Sequence, residues 1–146
     1  MMRIFLAGSF HTKEQENRLR GIYDTLKREH DVWWAPEEVE RGYDLEDEEL
    51  KRQNFYREMD QIMERDVLIA VMERGTIGTS IEIGLPTVAR YLKDEEDKNT
   101  KVICYTVPSE DGSMHPDFES SSFEVVCDEV VEREEDIFEA IGRYER

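Results

Sequence analysis

The chain has 146 residues and a formal charge of −17, from 36 acidic against 19 basic side chains. That balance excludes the nucleic-acid backbone and anionic membrane surfaces as partners, since both would repel it. The length suits one domain, residues 1–146, with a core that needs no disulfide or metal staple. No run approaches the ~20 apolar residues that cross a bilayer, and the apolar stretch after Met1 is too short for a secretory signal. A soluble, cytoplasmic protein is therefore expected. Cys104 and Cys127 each fall in a strand-like run with no recognisable pairing motif, so the expectation is two free, buried thiols in a reducing compartment. Acidic residues cluster at 37–49, 94–97 and 128–136 and read as solvated surface. The group around Asp44, Glu46 and Asp47 lacks the glycine turn and ordered oxygen ligands of a calcium loop.

In chain order, Arg3 to Ala7 reads as a first strand, followed by Gly8-Ser9-Phe10. Thr12 and Gln15 have capping-box spacing, and Leu19, Ile22, Tyr23 and Leu26 fall at i, i+3, i+4 and i+7 of an amphipathic helix. Asp31 to Ala35 predicts a second strand ending at Pro36, then an acidic loop from Glu37 to about Glu46. Leu50, Phe55, Met59, Ile62 and Met63 mark a second helix with a less regular stripe. Val67 to Met72 is an unbroken apolar run, the mark of a buried strand. Ile81, Leu85, Val88, Ala89 and Leu92 share one face of a third helix, and Asp94 to Thr100 is a charged connection. Lys101 to Val107 predicts strand four, Pro108 to Ser122 a loop, Phe123 to Cys127 strand five, and Ile137, Ala140, Ile141 and Tyr144 a closing helix. Alternating strands and helices imply a mostly parallel sheet covered on both faces, with five strands in the order 2-1-3-4-5.

Such sheets place ligands at the carboxyl edge of their strands. Gly8 and Ser9 lie there at the end of strand one, where glycine admits close backbone approach and the hydroxyl suits an anion or a sugar. Strand three leads across a short link to Gly78-Thr79-Ser80-Ile81-Glu82-Ile83-Gly84. With Gly78-Thr79 as turn and N-cap, Glu82 would sit on the first helical turn, facing the same edge as a candidate nucleophile. Thr79 and Glu82 also have capping-box spacing, so the carboxylate could instead bond the amide of Thr79. Pro86, four residues on, has no N–H to donate to the carbonyl of Glu82, so the helix should start late, bend, or leave that carbonyl to another partner. Glu58 on the second helix could meet Glu82 across the cleft, whereas Asp60 reads as a solvated acid or a neighbour of the same group.

Three blocks of the chain resemble the nucleoside 2-deoxyribosyltransferase family. They are Arg3-Ile4-Phe5-Leu6-Ala7-Gly8-Ser9-Phe10, the segment Glu58 to Val71 with Asp66 before the apolar strand, and Gly78-Thr79-Ser80-Ile81-Glu82-Ile83-Gly84, which resembles the family's Gly-Thr-x-x-Glu-φ-Gly signature. The resemblance covers roughly residues 3 to 107. It implies a flavodoxin-like three-layer sandwich. It also implies a covalent mechanism in which Glu82 attacks C1′ of a 2′-deoxynucleoside, displaces the base, and yields the sugar to a second nucleobase. A proton donor beside the departing base is then needed, and the matching position is Glu58, one methylene longer than the family's usual aspartate. Asp60 would help orient the base. Gly8, Ser9, Thr76, Gly78 and Thr79 would shape the sugar or phosphate pocket, with Phe5, Phe10, Trp33 and Trp34 as aromatic contacts. No metal or organic cofactor is implied. The family completes its sites across subunits, so a homodimer or higher homo-oligomer is expected.

Two departures bear on substrate. Thr76 stands where a second family acid often lies, and Phe5 where a tyrosine often holds the nucleophile. A related branch hydrolyses the N-glycosidic bond of nucleoside 5′-monophosphates and grips phosphate with small hydroxyl residues. Ser9 and Thr76 suit that use, as do Ser120, Ser121 or Ser122 from a neighbouring subunit, with His11 or Arg18 adding positive charge. A receiver-type signalling domain would need an acidic pair where Gly8-Ser9 stands. A non-catalytic nucleotide-binding module differs in having Glu82 cap its own helix instead of facing an open cleft.

Overall fold

The computed structural model describes residues 1–39, 47–73, 76–94, 100–114, 118 and 121–146. Five parallel strands, β1 (Arg3–Gly8), β2 (Asp31–Trp34), β3 (Val67–Met72), β4 (Lys101–Thr106) and β5 (Glu129–Val131), pair in the order β2-β1-β3-β4-β5. The helices are α1 (Lys13–Leu26), α2 (Ala35–Glu38), α3 (Glu48–Glu64), α4 (Ile77–Leu92), α5 (Ser121–Val126) and α6 (Glu134–Tyr144). This is the flavodoxin-like α/β sandwich that the alternation of elements implied. No described helix is long and apolar enough to cross a membrane.

Side chains alternate across a strand, and here the two faces carry separate cores. Ile4, Leu6, Ile69, Val71 and Ile103 pack with Leu19, Ile22, Tyr23 and Leu26 of α1 and with Ile137, Ala140 and Ile141 of α6. Phe5, Ala7, Leu68, Ala70, Met72 and Val102 pack with Ile62 of α3, Ile83 of α4 and Phe123 of α5. Central β3 has every residue buried, as a strand covered on both faces requires. Helix α1 opens on the capping box read from Thr12 and Gln15: the Gln15 amide donates to Thr12 Oγ1 at 3.2 Å and the Thr12 amide to Gln15 Oε1 at 3.2 Å.

Asp66 lies at the amino edge of the sheet, away from the strand ends that hold ligands. Its carboxylate accepts the Arg3 amide at 2.8 Å and Arg3 Nη2 at 2.8 Å, fastening the start of β1 to β3. The guanidinium holds this carboxyl below the usual aspartate range.

Several boundaries differ from the sequence reading. Phe123 to Cys127 is not strand five. Residues 121–126 form α5, and the fifth strand is Glu129–Val131. The β-branched pair Val125-Val126 favours a strand, but Phe123 and Cys127 turn into the core while Val125 between them is exposed, whereas a strand would put all three on one face. The second strand stops at Trp34, and Ala35–Glu38 is a helical turn with Pro36 near its start, where its missing N–H costs nothing. The rest of the acidic loop, 40–46, including Asp44 and Glu46, lies outside the described residues, as do 95–99 of the charged connection.

Gly8 ends β1 in a confined position. A Cβ there would stand 2.8 Å from Leu19 Cδ2, 3.2 Å from its Cδ1 and 3.3 Å from Val71 Cβ. Leu19 is itself core-packed and cannot swing aside freely. Gly8→Ala is expected to cost about 1–3 kcal/mol through overpacking, read as a lower denaturation midpoint at unchanged m-value. Wild-type stability in that variant would contradict the packing described.

Candidate active site

A cavity of about 440 Å³ opens at the carboxyl edge of β1. Its floor is Phe5 to Gly8, and one wall is the turn Ser9, Phe10 and His11. The end of β2 and the start of α2 add Trp34 and Ala35, α3 adds Glu58, and α4 adds Ile77, Gly78, Thr79 and Glu82. Four stretches distant in sequence thus reach one opening, with β1 lying between β2 and β3 in the sheet.

Helix α4 begins earlier than its sequence suggested. Thr76 occupies the N-cap position, and its hydroxyl donates to the Glu73 carbonyl at 2.8 Å rather than capping the helix. Ser80 donates its hydroxyl back to the Thr76 carbonyl at 2.8 Å. Gly78 and Thr79 are therefore helical residues, not turn and cap, and Glu82 sits on the second turn. The capping-box alternative for Thr79 and Glu82 fails because Thr79 is already the third residue of the helix. The helix runs on through Pro86, which is buried. The carbonyl of Glu82 accordingly lacks its usual i+4 amide donor.

The Glu82 side chain is half-buried in the cavity wall. Burial, with the nearby charge of Glu58 adding to it, pushes its carboxyl up to about 8. Two carboxyls facing one confined space cannot both ionise readily, so the pair retains a proton near neutrality. A positive charge developing between them would favour the ionised form of either. Such an arrangement can present one carboxylate to an electrophilic carbon while the other carries a proton.

The other residues read from the sequence divide between wall and surroundings. Phe5 is buried and stacks on Trp33 with ring centroids 4.7 Å apart, so Trp33 belongs to the core beneath the cavity. Trp34 reaches the wall, and the Arg20 guanidinium stands 4.6 Å from its ring centroid. Phe10 and His11 stack with centroids 6.2 Å apart. Asp60 is exposed on α3 and Thr76 is buried, and both lie outside the wall. Arg18 is engaged by Glu73 at 3.3 Å and Glu14 at 3.5 Å. Ser120 and the side chain of Ser121 lie outside the described residues, while Ser122 is exposed at the start of α5. Ala35 and Ile77 line the cavity without having been singled out. Each directly adjoins a strand end or the glycine-threonine pair, a position more telling than its chemistry. Among the described residues, no group of three His, Cys, Asp or Glu side chains could hold a metal ion.

No protein-family model and no curated protein matches the sequence. Solved structures do match the fold. A 2-deoxyribosyltransferase from the psychrotolerant bacterium Bacillus psychrosaccharolyticus superposes with TM-score 0.63 at 18% identity, over 92% of this chain and 89% of that one. A conserved protein from Enterococcus faecalis V583 gives TM-score 0.66 at 15% identity, over 98% of each chain. The CMP N-glycosidase BcmB of Clostridium botulinum gives TM-score 0.59 at 17% identity, over 96% of this chain and 98% of that one. The chain shares its fold, nearly end to end, with a 2-deoxyribosyltransferase and a CMP N-glycosidase.

Proposed function

We propose that this protein is an N-glycosyl transfer enzyme, a nucleoside 2-deoxyribosyltransferase that moves the deoxyribosyl group of a 2′-deoxynucleoside to another nucleobase. The observation that carries the reading is the Glu82 carboxyl, turned to a sugar-sized cavity beside Glu58 instead of to its own backbone. With the proton shared by the pair carried on Glu58 in the reactive state, the ionised Glu82 attacks C1′ from the face opposite the base. Glu58 protonates the departing base, since nucleobase anions leave poorly. The C1′–N bond breaks as the C1′–O bond to Glu82 forms, through an oxocarbenium-like transition state. A second base then attacks C1′, Glu58 accepts its proton, and Glu82 is released. Two displacements return the original configuration.

Gly8, Ser9, Gly78 and Thr79 contact the sugar, and Phe10 packs on the base, with Phe5 forming the apolar floor. Thr76 acts from behind the wall, on the start of α4. The fold shared with the deoxyribosyltransferase and the N-glycosidase supports this class of chemistry. A homodimer or higher assembly fits the apolar stripe on α4: Ile77, Ile81, Val88, Tyr91 and Leu92 are all exposed, and Ile77 also borders the cavity.

A second reading is a nucleoside 5′-monophosphate N-glycosidase, in which water replaces the accepting base. Ser9 beside the confined Gly8, and the shared fold of the CMP N-glycosidase, favour it. The electrostatics favour an uncharged nucleoside, because the described wall holds two carboxyl groups and no lysine or arginine. Deoxyadenosine and its 5′-monophosphate, each incubated with and without free cytosine, separate the readings. Deoxycytidine formed from deoxyadenosine and cytosine is the expected product. Release of adenine and sugar phosphate from the monophosphate alone establishes the hydrolase, and no turnover of either substrate leaves a binding module.

A further inference from the structure

We propose that Cys104 and Cys127 form a redox-active pair, which a peroxide closes into an intrachain disulfide beneath α4. Both thiols are free and buried, as the sequence suggested, and the structure brings them side by side. Cys104 is the fourth residue of β4, on the sheet face covered by α3, α4 and α5, and is fully buried. Cys127 directly follows α5, with its amide donating to the Phe123 carbonyl at 3.1 Å. The next residue pins this turn to the sheet: the Asp128 amide donates to the Val102 carbonyl at 2.9 Å, and the Val102 amide to Asp128 Oδ2 at 2.8 Å. Backbone on both sides thus holds the two sulfurs together, with Sγ atoms 2.6 Å apart. That is only about 0.6 Å beyond a disulfide bond, so closure needs no rearrangement of the elements.

Access is unequal. Cys127 retains 8% exposure and Cys104 none, so Cys127 is the sulfur that an oxidant reaches first. Its thiolate attacks the peroxide, the O–O bond breaks, and Cys127 becomes a sulfenic acid with release of water (hydroxide with the original thiol proton). The Cys104 thiol then displaces the sulfenic oxygen as a second water. Two thiols are oxidised by two electrons and one peroxide is reduced to two waters. The bond links positions 23 apart, enclosing the chain between β4 and α5. It also fastens α5 to the core that Ile83, next to Glu82, completes. The proposal stands apart from the glycosyl-transfer reading and needs no substrate.

The test uses the whole chain treated with a small excess of hydrogen peroxide. Expected are loss of both titratable thiols and of two hydrogens in intact mass, no covalent dimer, and full reversal by dithiothreitol. The oxidised chain should melt roughly 6–12 °C above the reduced one, and Cys127→Ser should abolish both the mass change and the shift. Persistence of both thiols, conversion to sulfinic or sulfonic acid, or a covalent dimer would each overturn the proposal. The thiol count and mass on the unmutated chain decide the matter even if the variant fails to fold.

Discussion

Glu82→Gln is expected to lower deoxyribosyl transfer by roughly 10⁴-fold or more, since it removes the atom that bonds C1′ while keeping the side chain's shape. The same variant should be more stable than the parent near neutral pH, which distinguishes a functional carboxyl from a structural one. The carboxyl is pushed from its ordinary value of 4.5 up to about 8. Between those two pH values the unfolded chain releases the proton and the folded chain keeps it. Stability linked to this group is fully present below about pH 4.5 and is lost as pH rises through about 8. Glutamine cannot ionise, so the variant escapes that loss. The stability gap between variant and parent should widen across this window to on the order of a few kcal/mol. Chemical denaturation of both proteins at pH 5, 6.5 and 8 measures it. A gap that stays flat with pH would contradict the upward shift of this carboxyl, and a variant that unfolds outright would mean that Glu82 holds the structure together.

Glu58→Gln should slow transfer by about 10²–10⁴-fold, the range that general acid–base catalysis supplies. The loss should be largest for bases that need protonation to leave. Glu58 also adds to the upward shift of Glu82, so removing its charge should bring the Glu82 carboxyl part of the way back, while burial keeps it above the ordinary glutamate range. The pH-dependent stability of this variant should therefore begin to level off at lower pH than in the parent. Glu58→Asp should restore a measurable share of turnover, because the proton donor survives one methylene shorter. Equal activity in Glu58→Gln and the parent would remove Glu58 from the chemistry.

Much of the framework was legible because its causes are local. The unbroken run Val67 to Met72, the 3.6-residue stripe of α1 and the Thr12–Gln15 box each carry their structure in their own spacing. Part of the cavity lining was legible as two strand-end stretches, since parallel order brings the carboxyl end of β1 beside the start of α4, which the chain reaches from the end of β3. The expectations that failed depended on contacts between distant elements. Val125-Val126 looks like a strand until α5 has a core to turn Phe123 and Cys127 into. Val130-Val131, the true edge strand, is hidden among acids, because an edge strand needs little apolar sequence of its own. The start of α4 was misplaced because Thr79 has the chemistry of a cap, while Thr76 takes the position and spends its hydroxyl on Glu73. The nearness of Cys104 and Cys127 leaves no mark in sequence, as it depends on how residue 128 is held to β4.

The covalent step is read directly by an acid quench of the protein during turnover of deoxyadenosine without an accepting base, followed by peptide mapping by mass spectrometry. One 2-deoxyribosyl group is expected esterified to Glu82, and lost when cytosine is added before the quench. A sugar carried on any other residue, or a product nucleoside of inverted configuration at C1′, would contradict it.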